Sequence, residues 1–152
     1  SVILALSWGL VLLWMALIFS MSAQPASKSS ELSTGITEII KEKIETIAPN
    51  VDIDLRNAEH IVRKNAHFFS YLILSLLVMN ALSLKVKDRR RIYYSLLICV
   101  LYAISDEVHQ LFVPGRGAQI KDVFIDSAGA LTGIFLFVGL ERLYLKWRRD
   151  QK

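Results

Sequence analysis

Asp106, Glu107, His109 and Gln110 close a run, Ile92 to Ser105, that carries no charge of its own. The imidazoles of His67 and His109 titrate nearest neutral pH, so either is a candidate general base or acid. Asp106 or Glu107 would orient that base or donate a proton. Arg63, Lys64 and Arg116 are the types that hold a phosphate or carboxylate. Gln24, Tyr71 and Gln110 add neutral hydrogen-bonding groups, and Asp122 and Asp126 add two more carboxylates. No activated nucleophile is recognisable: Cys99 falls inside an apolar run, and Ser20 and Ser70 stand in no known motif. Any reaction expected here is an acid–base or metal-assisted step. The His and Asp spacings match no specific metal motif, so no metal ligand is assigned and no cofactor is named.

These residues need helices to bring them together. At about 100° per residue, Lys64, His67 and Tyr71 share a face, as do Asp106, His109 and Gln110. Asp122 and Asp126 stack one turn apart, and Gly129 and Gly133 continue their stripe, where small residues let a second helix approach closely. Arg63, Lys64 and Arg116 offset the four carboxylates. An ion-pair network that only fixes helix order would account for those charges. It would not require two histidines, a tyrosine and two amides at the same place.

The elements are legible in the apolar runs. The 152-residue chain is 53% hydrophobic, with a positive mean hydropathy. Val2–Met21, Phe68–Leu84, Ile92–Ser105 and Ser127–Leu140 are uncharged. With their flanks they reach the roughly 20 residues a bilayer span needs. The expected fold is an all-α membrane bundle, a single domain of four spans near 1–21, 64–84, 91–111 and 122–145. An amphipathic helix over Glu31–Ala48 stands between the first two spans. Ser30 is its expected cap, Pro49 lies past its end, and its apolar positions are Leu32, Ile36, Ile39, Ile40, Ile44 and Ile47. Residues 50–55 connect it to a segment, Arg56–Asn65, that runs directly into span two.

The first run is longer than the apolar core of a signal peptide, so it is read as a span although SMSAQ offers a loose cleavage site. Basic loops set orientation. Lys85–Arg91 and Lys146–Arg149 place both termini in the cytoplasm, with residues 22–63 and the loop after span three outside. The net charge of +4 then reflects cytoplasmic anchoring rather than a nucleic-acid partner.

Four stretches together resemble the VanZ-like family of bacterial membrane proteins: Ser20-Met-Ser-Ala-Gln24, Arg63-Lys-Asn-Ala-His67-Phe-Phe-Ser-Tyr71, Asp106-Glu-Val-His-Gln110-Leu-Phe-Val-Pro-Gly-Arg116, and Asp122-Val-Phe-Ile-Asp126-Ser-Ala-Gly129. Asp126 stands where that family often shows asparagine. The resemblance implies a bacterial cytoplasmic membrane and covers nearly the whole chain. The namesake of the family is associated with lowered sensitivity to teicoplanin, a lipid-tailed glycopeptide, but the family implies no settled reaction.

Two functions fit. An enzyme would act on a lipid-linked or cell-envelope substrate at the outer leaflet. A binding protein would hold a lipid headgroup or an antibiotic in the same cluster without turnover. In both, Pro114 and Gly115 are expected to turn the chain so that Arg116 pairs with Asp106 and Glu107 while contacting an anionic ligand. Losing Arg116 would then strand a carboxylate and lower stability. The oligomeric state is not legible.

Overall fold

A computed structural model describes residues 1–47 and 55–151. All regular structure among them is helical: α1 (Val2–Ser22), α2 (Ala26–Ile47), α3 (Leu55–Ser83), α4 (Arg90–Gln110) and α5 (Ile120–Asp150). α1, α4, α5 and the Ile61–Ser83 part of α3 are long and apolar enough to cross a membrane. Helices are the form expected of such runs, because only a helix or a closed barrel satisfies its backbone in lipid. The expected all-α membrane bundle is therefore what the chain forms. α5, at 31 residues, extends about 46 Å, well beyond a hydrocarbon core of about 30 Å. Its exposed end carries Arg142, Lys146, Arg148 and Arg149.

Two local expectations are corrected. α2 begins at Ala26, so Ser30 lies inside the helix and is not its cap. Pro25, with its fixed φ and missing N–H, leads into the helix at no cost there, and the serines after it are tolerated within it. α3 begins at Leu55, which the sequence placed in the connector; the rest of that connector, with Ala48 and Pro49, lies outside the described residues. Three isoleucines of α2 face outward. Thr37 is buried, while Ile36, Ile39 and Ile40 are exposed. Among the described residues α2 packs on α3 alone, which leaves these isoleucines uncovered, as suits a helix lying at a membrane surface.

α3 is the hub and touches all four other helices. Its buried face is Tyr71, Leu74, Val78 and Ala81, at helical spacing, packed with Val11 and Ile18 of α1, Cys99 and Ala103 of α4, and Ala130 of α5. The tightest junction is α3 against α5. Gly129 lies directly on the carbonyl of Phe68, and a Cβ at Gly133 would fall 2.5 Å from the carbonyl oxygen of Leu72. The glycine stripe thus works as its spacing suggests, letting two backbones meet.

Polar side chains tie α1 to its neighbours. Trp14 Nε1 donates to the Ser70 carbonyl at 2.9 Å, and Tyr102 OH to the Met15 carbonyl at 2.5 Å. At the basic end of the bundle, Arg91 forks onto Glu141 of α5 and donates to Ser83 Oγ of α3 at 3.0 Å, which joins three helices.

Candidate functional site

The opposite end holds the polar constellation. Helix α4 stops at Gln110, four residues before Pro114, and the chain turns at once. Arg116 N–H donates to the Val113 carbonyl at 3.1 Å, and Gly115 has φ 75°, so Val113–Arg116 is a turn of the type that requires a left-handed third residue. Val113 is buried beneath it. The turn directs Arg116 to a cavity of about 260 Å³ between α1, α2 and α3.

That cavity is amphiphilic. Arg63, His67 and Arg116 line one part, with Ser22, Gln24 and Ser70 contributing neutral polar groups. Ile18, Met21, Ile36, Val62 and Ala66 supply the rest. Arg63 and His67 reach it because positions 63, 66, 67 and 70 form one face of α3. Lys64, one step round the helix, does not line it.

Among the described residues no Asp or Glu oxygen lies within 4 Å of the guanidinium of Arg63 or Arg116, and Arg63 Nε is buried without a hydrogen-bond partner. Burial, and next the nearby charge of Arg63, press the Arg116 pKa below the ordinary arginine value; Asp106, Glu107 and Asp122 pull the other way without cancelling the shift. The expected pairing of Arg116 with Asp106 and Glu107 is therefore corrected. The physical reason is visible in what those carboxylates do instead.

Asp106 is buried and turned toward α1. Its Oδ2 accepts from Ser22 Oγ at 2.7 Å and, more weakly, from Gln110 Nε2 at 3.4 Å. Glu107 Oε2 accepts the backbone N–H of Gln119 at 2.7 Å, which pins the return of the loop just before α5. Glu107 is thus a positioning residue for the turn that carries Arg116. We predict that Glu107→Ala costs about 1.5–3 kcal/mol, the range for a hydrogen bond to a charged group. Hydrogen exchange should rise across residues 111–119. Glu107→Gln, which keeps an acceptor oxygen, should leave that exchange near wild type.

Behind the cavity, His67 Nδ1 lies 3.4 Å from Oδ1 of the fully buried Asp126. The contact is within ion-pair range but misaligned for a hydrogen bond, since neither Asp126 oxygen has a bonded donor. Among the described residues none bonds the other ring nitrogen, Nε2, and His67 lines the cavity. Asp122, in the first turn of α5, has a buried unpartnered Oδ1 and complements the helix dipole.

Tyr71 is not at the cavity. It is fully buried, its ring is 6.1 Å from that of Tyr102, and its hydroxyl is unpartnered. His109 is not there either: its ring packs on Phe19 at 4.1 Å and its Nδ1 is buried without a partner. So of the residues singled out from sequence, Gln24, Arg63, His67 and Arg116 share the cavity. Asp126 supports His67; Asp106, Glu107 and Gln110 form a neighbouring buried layer; Lys64, Tyr71 and His109 stand apart. Among the described residues, no three His, Cys, Asp or Glu side chains are placed to share a metal ion.

Ser22 was missed. Ser20, one of the polar residues at that end of α1, bonds its own helix at the Leu17 carbonyl and is exposed. The signal was in the α1 pattern: Val11, Ile18 and Ser22 fall on one buried face, and Ser20 does not.

The model of the VanZ/LLP1 family matches residues 7–143, which includes every residue of this site. The chain belongs to the VanZ/LLP1 family. No curated protein and no solved structure matches it. As a VanZ/LLP1 protein it carries its polar cluster where four family-like stretches converge at one end of a helical bundle.

Proposed function

We propose that this VanZ/LLP1 membrane protein binds or modifies an anionic lipid-linked or cell-envelope molecule at the outer leaflet. The observation that carries the reading is the pair of arginines that, among the described residues, have no carboxylate partner at a half-apolar cavity. Two guanidiniums drawn together and partly desolvated are costly unless an anion offsets them. The chemistry of the lining matches an amphiphile: a phosphate or carboxylate for Arg63 and Arg116, a hydrocarbon chain for Ile18, Met21, Ile36 and Val62. His67, whose Nε2 has no partner among the described residues, supplies an acid–base group within the same space. In a cell, occupying or altering such a molecule would lower sensitivity to lipoglycopeptides such as teicoplanin.

The cellular test is a complementation. In a strain whose teicoplanin tolerance depends on this chain, Arg116→Gln should abolish the tolerance at unchanged membrane abundance. Tolerance equal to wild type would remove the arginine pair from the function.

The sidedness proposed here follows from the basic Lys85–Arg91 loop and the basic end of α5, both cytoplasmic. Lys87 is exposed. We therefore expect Lys87→Cys to resist a membrane-impermeant thiol reagent in intact cells and to react after permeabilisation. Labelling before permeabilisation would invert the orientation.

A further inference from the structure

We propose that the cavity hydrolyses the terminal phosphate of a long-chain lipid diphosphate, with His67 taking the proton of the attacking water. The inference rests on the anionic-amphiphile reading above and adds the headgroup and the reaction. Three features carry it.

The first is charge. The two guanidiniums have no carboxylate partners among the described residues, and they sit close enough for Arg63 to bear on the charge of Arg116. A phosphodiester lipid brings one negative charge to this pair, whereas a terminal phosphate brings two or more. The forked donors also match the equatorial oxygens over which charge spreads as a phosphoryl group transfers.

The second is the imidazole. Its Nδ1 faces the buried Asp126, which favours the tautomer with the proton on that nitrogen. Nε2 then presents a lone pair toward the cavity that holds both arginines. Asp126 acts through His67 and is a positioning residue, not a catalytic one.

The third is the leaving group. Among the described residues lining the cavity, His67 carries the only imidazole and there is no carboxyl or thiol. Splitting a lipid alcohol from a monophosphate would need a second acid to protonate the alkoxide, and His109 is packed on Phe19 instead. A diphosphate leaves as a lipid monophosphate, which is stable as an anion and needs no proton. The step balances as follows. The water oxygen forms a bond to the terminal phosphorus. The bridging P–O bond breaks, and its electron pair departs with the lipid monophosphate. The proton of the water passes to Nε2 and then to solvent, so one lipid diphosphate and one water give lipid monophosphate, inorganic phosphate and a released proton. The hydrocarbon chain leaves past Ile18, Met21 and Val62.

The test uses the full chain in lipid nanodiscs with farnesyl diphosphate as probe, following both saturable binding and release of inorganic phosphate. Wild type should bind and release phosphate. His67→Gln should bind within a few-fold of wild type while release falls by about a hundredfold or more. Asp126→Asn should lower kcat with little change in KM and shift the acidic limb of the pH profile, which a purely structural substitution would not do. Binding without phosphate release would overturn the hydrolysis and leave the anionic-amphiphile site standing. Absence of saturable binding would overturn both. Phosphate release with phosphate trapped covalently on the protein would overturn the base role of His67.

Discussion

Gly129→Leu is expected to prevent stable folding. A Cβ at this position lands on the backbone carbonyl of Phe68, and backbone cannot rotate aside as a side-chain tip can. Side-chain overpacking typically costs 1–3 kcal/mol, and parting α3 from α5 should exceed about 3 kcal/mol. Those helices also hold the two members of the His67–Asp126 contact, so the site is lost with the junction. The chain contains its own reporter. Cys99 is the single cysteine and is buried, so its reaction with a fluorogenic maleimide on heating marks unfolding. Gly129→Leu should expose Cys99 at low temperature or give no folded protein. Gly139→Ala, where an added Cβ meets nothing within 4 Å, should melt as wild type does. Equal melting of Gly129→Leu and wild type would contradict the α3–α5 contact.

The second large effect is on binding. Replacing Arg63 and Arg116 together by Gln should reduce affinity for an anionic amphiphile such as dodecyl phosphate by about a hundredfold or more, since each charge-assisted contact contributes roughly 1.5–3 kcal/mol. Stability should not fall with it. The lowered Arg116 pKa means that the folded state disfavours its charge, so neutralising it removes a cost. Melting by the Cys99 assay should be unchanged or higher without ligand, and dodecyl phosphate should no longer raise it. A parallel loss of binding and stability would make the arginines structural. Glu107→Gln should not repair Arg116→Gln, because Glu107 holds the Gln119 amide rather than the guanidinium.

That last point marks where sequence reading stopped. The spans were legible because uncharged runs of sufficient length have one solution in lipid. A close helix contact along α5 was legible because Asp122, Asp126, Gly129 and Gly133 repeat at helical spacing; that α3 makes it was not. The tight turn was legible in Pro114 and Gly115. The partners of individual charges were not. Proximity of opposite charges suggested that Arg116 meets Asp106 and Glu107. One oxygen of each carboxylate instead accepts from Ser22 Oγ or a backbone N–H, donors that charge counting overlooks, while Asp106 Oδ1 and Glu107 Oε1 stay buried without a partner. Nor did helical faces alone separate His67 from Tyr71. They share a stripe, but one lies beside the cavity and the other, a turn deeper, lies inside the core.

An experimental structure of the full chain with dodecyl phosphate tests the central claim most directly. The account predicts the phosphate between the Arg63 and Arg116 guanidiniums, with the imidazole of His67 facing it and the alkyl chain running along Ile18, Met21 and Val62. Guanidiniums turned onto Asp106 and Glu107, with the amphiphile elsewhere on the bundle, would contradict it.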